Sequence, residues 1–168
     1  MHPIRRNTLA LVQEISKIIE HQQKVQKPTQ STAHARRQYA ILLGALRHYD
    51  NLMSWIQQTH RFKNKDRCLY YLAIILLYQL QAMDHCNHSQ IIYHGVATCD
   101  DIRRSWAKNA ITALLHRSKR EAPQPQDHPL FPQWLNKQNA PELKNNSEWL
   151  SPQTHTALRL LTRTQRHD

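Results

Sequence analysis

LYYLAIILLYQLQAM, residues Leu69–Met83, is the most apolar passage of the chain, and its reading decides the fold. The uninterrupted apolar run is only Cys68 to Tyr78, well short of the ~20 residues a membrane span needs. A helix that is apolar nearly all round belongs at the centre of a bundle, covered by other helices. The flanking sequence supplies those helices. Upstream, from Ile4 to about Gln23, Leu11, Val12, Ile15, Ile18 and Ile19 recur at the spacing of one helix face. Lys24 to Thr32 holds Pro28 and a single large apolar residue, Val25, and reads as a connection. A second helix is predicted from about Ala33 to His48, with Tyr39, Leu42, Leu43 and Leu46 inward. Asp50 is placed to cap a short third helix through Leu52, Trp55 and Ile56.

Downstream of the central passage, Asn87 or Ser89 can start a fifth helix carrying Ile91, Ile92 and Val96 and ending near Cys99. Asp100 and Asp101 suit the start of a sixth, because acids favour the positive end of the helix dipole. There Ile102, Trp106, Ala110, Ile111 and Leu114 recur at helical spacing. The texture changes at Glu121: EAPQPQDHPLFP, Glu121–Pro132, has four prolines in twelve residues and marks a linker. The expected organisation is therefore an all-α domain over 1–120, a Pro-rich linker over 121–132 and a short helical tail over 133–168 docked on the bundle.

Composition excludes several functions. The 168 residues include two glycines, Gly44 and Gly95, where average usage near 7 % would give about 12. Dinucleotide fingerprints and P-loops need clustered glycines, since only glycine turns the backbone that tightly against a phosphate. Few glycines also mean few tight turns, which disfavours a protein of hairpins. Three cysteines, Cys68, Cys86 and Cys99, cannot all pair within one chain and show no CxxC spacing. Without a signal-peptide pattern at the start, the expected compartment is a reducing cytoplasm. Asp84-His85-Cys86-Asn87-His88 is rich in metal-ligand types, but the paired spacing of a structural zinc site is missing. Cys68 leads into the apolar helix and is expected to be buried, and no oriented base accompanies Cys86. The expectation is a chain that is not an enzyme, with no catalytic residue, no cofactor and no metal.

Charge points to partners instead. Lys and Arg number 23 against 12 acids, a formal net charge of +11. Residues 1–48 hold eight of the basic residues and only Glu14 and Glu20 as acids. Such a field attracts polyanions, nucleic acid first. Three adjacent pairs stand out: Arg5-Arg6, Arg36-Arg37 and Arg103-Arg104, the last with Lys108 one turn on. Arg5 and Arg6 fall in a first helical turn, where positive charge opposes the dipole by a few tenths of a kcal/mol. These seven residues are the candidate phosphate contacts.

The order of motifs resembles the NusB-like all-helical RNA-binding domain, in the form found at the front of the rRNA cytosine-C5 methyltransferase B family. The resemblance rests on the arginine-led first helix RRNTLALV (Arg5–Val12), on ILLGALRHYDNLMSWI (Ile41–Ile56), on the central helix ending Tyr78-Gln79-Leu80, and on AKNAITALLHR (Ala107–Arg117). HPLFPQWLNKQ, His128–Gln138, looks like the passage that follows this domain in the methyltransferases. The chain departs from the pattern where the family's Asn-Gly step reads Asn109-Ala110. It also has neither a Gly-rich cofactor loop nor a Pro-Cys nucleophile motif, so the resemblance implies no methyl transfer by these residues. What it implies is a NusB-like bundle that binds ribosomal RNA or a nascent transcript without catalysis. The alternative is a protein-interaction module, paired with a ribosomal protein or docking a separate methyltransferase domain through the Asp84–Ser89 loop and the tail aromatics Trp134 and Trp149.

Overall fold

The computed structural model of the chain describes residues 1–62, 66–83 and 86–121. They form six α-helices: α1 (Pro3–Glu20), α2 (Ala33–Arg47), α3 (Tyr49–Thr59), α4 (Arg67–Ala82), α5 (His88–Asp101) and α6 (Lys108–Arg120). A single 3₁₀ turn, Ser105–Ala107, leads into α6, and no strand occurs among the described residues. The Pro-rich stretch after Glu121, the expected tail with Trp134 and Trp149, and Asp84 and His85 lie outside the described residues.

The helix starts follow from local chemistry. Thr32, Asp66 and Asn87 each sit just ahead of a helix and accept a hydrogen bond from a first-turn amide, those of Ala35, Leu69 and Gln90. His2 does the same for α1, its Nδ1 accepting from the Ile4 amide at 3.1 Å, with Pro3 at the first helical position.

α4 is the axis of the bundle. Every residue from Leu69 to Leu80 is buried, and α4 packs against each of the other five helices. The apolar stripe of α1, Leu11, Val12, Ile15 and Ile18, closes on α4 and α5. Gly44 is needed where α2 meets α4, since a Cβ there would overlap the Tyr78 ring. No helix among the described residues is long and apolar enough to cross a membrane.

Four local expectations are corrected. Asp50 does not cap α3: α2 and α3 share His48 as their junction, with no side-chain cap, and Asp50 lies one position inside α3. Asp100 and Asp101 do not begin a helix but end α5, and α6 starts seven residues later at Lys108. Acids at a helix C-terminus oppose the dipole, and here both are paired with cations from other helices, Asp101 with Arg5 and Asp100 with Lys108. Trp106 does not join an inner face; it is 58 % exposed in the 3₁₀ turn. Cys68, at the first turn of α4, is only half-buried. Desolvation, with Asp66 adding to it, nevertheless pushes its thiol up, away from the reactive thiolate.

Candidate nucleic-acid interface

The start of α1 is tied to α2 on one side and to the end of α5 on the other. On one side, the Gln38 side chain donates to the Asn7 carbonyl at 3.1 Å, fastening the first turns of α2 to those of α1. Arg6 and Arg37, the immediate neighbours of these two residues, are both exposed, and Arg36 is half-buried beside them. On the other side, Arg5 reaches the end of α5. Its Nε donates to Asp101 Oδ2 at 2.7 Å and its Nη2 to Asp101 Oδ1 at 2.9 Å, a two-pronged ion pair spanning 96 positions of sequence. That hydrogen-bonded pair raises the Arg5 pKa still further. Two residues beyond Asp101 stands the exposed Arg103. Arg5 thus ties the start of α1 to the end of α5, whereas Arg104 reaches Asp66 at the cap of α4, whose neighbour Arg67 pairs with Glu20 at the other end of α1.

The seven candidates then divide by what they already hold. Arg5 is committed to Asp101. Arg104 donates to Asp66 Oδ2 and, through Nη1, to the Ile102 carbonyl at 2.8 Å, tying the end of α5 to the cap of α4; the Asp66 hydrogen bond holds its pKa above the ordinary value. Lys108 pairs with Asp100, which also accepts from the Ser105 hydroxyl. The Lys108 and Ser105 hydrogen bonds pull the Asp100 carboxyl below the usual carboxylate range. These three cations act as fasteners of α1, α4 and α6 around the acidic end of α5. Arg6, Arg36, Arg37 and Arg103 make no ion pair among the described residues.

Arg103 carries a further signature. α5 ends in a Schellman motif, in which the Arg104 amide donates to the Cys99 carbonyl at 2.7 Å and the Arg103 amide to the Asp100 carbonyl at 3.2 Å. The motif places Arg103 in the left-handed region, φ 59°, where glycine is the usual occupant. A non-glycine residue there costs on the order of 1 kcal/mol. This conformation sets an exposed residue, Arg103, at the corner between α5 and the 3₁₀ turn.

Sequence reasoning missed two parts of this site. Asp66 and Asp101 orient the basic residues although each is remote from its partner along the chain. Tyr93, 75 % exposed on α5, belongs to a ring series in which it meets His94 edge-on at 5.0 Å and His94 stacks on His2 at 3.5 Å. The helical spacing of exposed α5 positions could have flagged Tyr93; nothing local could have paired His94 with His2. Burial, with the nearby His2 contributing, lowers the His94 pKa, which favours the neutral ring in that stack.

None of the suspected metal ligands gathers into a cluster of three His, Cys, Asp or Glu side chains among the described residues. The Cys86 thiol instead donates to the carbonyls of Gln79 and Met83, closing the end of α4. Comparison of the chain with protein-family models, with curated proteins and with solved structures gives no match.

Proposed function

We propose that the chain is a non-catalytic RNA-binding helical domain whose ligand meets Arg6, Arg36, Arg37 and Arg103. The observation that carries this reading is that Arg6, Arg36, Arg37 and Arg103 stay outside ion pairs among the described residues, whereas Arg5, Arg104 and Lys108 are held by Asp101, Asp66 and Asp100. Arginine suits the role because its planar fork binds phosphate oxygens two at a time and stays charged at any physiological pH. Arg5, Arg104 and Lys108 belong to the same reading as supports: they fix the neighbouring residues and leave their charge largely compensated by Asp101, Asp66 and Asp100. The resemblance to the NusB-like domain of the rRNA cytosine-C5 methyltransferase B family favours ribosomal RNA or a nascent transcript as the ligand class.

Fluorescence-anisotropy titration with labelled ribosomal RNA fragments tests the reading. The expected outcome is affinity that falls steeply with salt and drops tenfold or more when Arg6 and Arg37 are changed together to Glu. Salt-independent binding, or no loss in that variant, rejects it. A protein-interaction module is the second reading, favoured by the exposure of the large apolar side chains Tyr93 and Trp106. Recovery of one stoichiometric protein partner after nuclease treatment, without RNA affinity, would select it.

A further inference from the structure

The turn that joins α5 to α6 presents one large apolar side chain to solvent from a backbone fastened on both sides. The Arg104 amide donates to the Cys99 carbonyl at 2.7 Å, and its guanidinium holds Asp66, at the cap of α4, and the Ile102 carbonyl. The Ser105 hydroxyl donates to Asp100, and Lys108 pairs with the same carboxylate. Ala107 is buried, its amide donating to the Arg104 carbonyl at 2.9 Å. Between these anchors Trp106 is 58 % exposed, and Arg103 is exposed at the left-handed end of α5. The two stand three residues apart, so their Cα atoms lie within about 11 Å of each other, at about 3.8 Å per step of chain.

The face of an indole takes either the apolar side chains of a protein or the face of a nucleobase. The neighbouring residues decide between them. A tryptophan that anchors a protein interface sits in a well-packed apolar pocket, whereas the exposed residues nearest Trp106 along the chain, Arg103, Ser105 and Asn109, are all polar. A ring beside a cation is the combination that binds single strands: the base stacks on the ring and the cation meets the backbone phosphate. Bases inside a duplex stack on one another and leave no face for the indole. Because the backbone on either side of Trp106 is already tied down, stacking orders little beyond the side chain itself.

Building on the RNA reading above, we propose that Trp106 stacks on an unpaired base of the ligand while Arg103 meets an adjoining phosphate, so that this corner recognises single-stranded and not duplex RNA. Trp106 is then a base-contacting residue, distinct in kind from the arginines, which touch only the backbone. Stacking tolerates any base, so Trp106 contributes a preference for unpaired RNA and none for sequence.

Anisotropy titration of the full chain with a short labelled RNA, single-stranded or annealed to its complement, tests this. Trp106→Ala should weaken single-strand binding roughly fivefold or more and duplex binding by less than about twofold, whereas Trp106→Phe, which keeps a ring, should retain most of the affinity. The salt slope for the single strand should be unchanged in Trp106→Ala, since stacking releases no counterions, but shallower in Arg6→Glu/Arg37→Glu. With most of its ring outside the core, Trp106 is expected to be replaceable without loss of the fold, as circular dichroism would verify. A second measurement needs no variant: the parent chain should bind the intact single strand more tightly than the same strand with abasic riboses. Single-strand affinity unchanged by Trp106→Ala, or equal affinity of the parent chain for intact and abasic strands, would overturn the stacking role and leave the RNA reading standing. Absence of RNA affinity in the parent chain would overturn both. Loss of a stoichiometric protein partner in Trp106→Ala, with RNA affinity intact, would also overturn the stacking role, by assigning the indole to a protein contact.

Discussion

Arg103 is, at the scale of one residue, where the proposed binding and stability make opposite demands. The Schellman end of α5 asks for glycine, and the chain, which spends only two glycines elsewhere, places arginine there. Arg103→Gly is expected to raise stability in urea denaturation by about 0.5–1 kcal/mol while weakening RNA binding. Arg103→Ala should weaken binding without that gain, because alanine keeps the left-handed cost. His48 gives a second residue-scale prediction. Its pKa is lowered to about 4 in the fold against about 6.5 in the unfolded chain, so below pH 6.5 the unfolded state takes up the proton first. Stability should fall as pH drops from about 6.5 to about 4, by on the order of 3 kcal/mol in total, and then level off for this group. Thermal melts of His48→Gln should be flatter across that window. The sequence made the basic residues visible as pairs. It gave no means of sorting them, because the acids that claim Arg5, Arg104 and Lys108 come from other helices.

At the scale of elements, the acidic end of α5 is held by cations from two other helices, Arg5 of α1 and Lys108 of α6, and this explains why Asp100 and Asp101 invite a wrong reading. Adjacent acids are a helix-start signal when judged locally. Here Arg5 and Lys108 pair with these acids from other helices, and the left-handed Arg103 stops the helix without the glycine that would have announced its end. The α1–α5 fastening should be measurable: Arg5→Met is expected to lower stability by about 1 kcal/mol, the pair being partly open to solvent, whereas Arg6→Met should leave stability within about 0.5 kcal/mol. Chemical denaturation of both variants checks the contrast. The α2–α4 contact gives the converse case. Gly44→Ala adds a methyl group where the buried Tyr78 ring lies, and overpacking of about 1–3 kcal/mol should exceed the gain in helix propensity. The helical periods around Leu11, Leu42 and Ile75 made the elements themselves readable, since an apolar stripe is a local property. Trp106 was misassigned because its spacing continued the α6 pattern across a 3₁₀ turn that changes the register.

For the whole molecule, the all-helical architecture and the central position of α4 follow from one run of apolar residues, which is why they are legible without coordinates. The proposed interface is a different kind of object. The Gln38–Asn7 and Arg5–Asp101 contacts join residues 31 and 96 positions apart, and such contacts leave no periodic trace. The net charge of +11 indicated that a polyanion is attracted, and the fold distinguishes the cations held in internal pairs from those facing outward. The central claim is that Arg6, Arg37 and Arg103 contact phosphates together. The most direct test is the salt dependence of RNA affinity for the full chain and for Arg6→Glu/Arg37→Glu/Arg103→Glu. The account predicts a log–log slope shallower by about 2–3 in the triple variant, with affinity at least tenfold weaker, because each phosphate contact contributes about 0.7–0.9 to the slope. Equal slopes and equal affinities for the two proteins would contradict it.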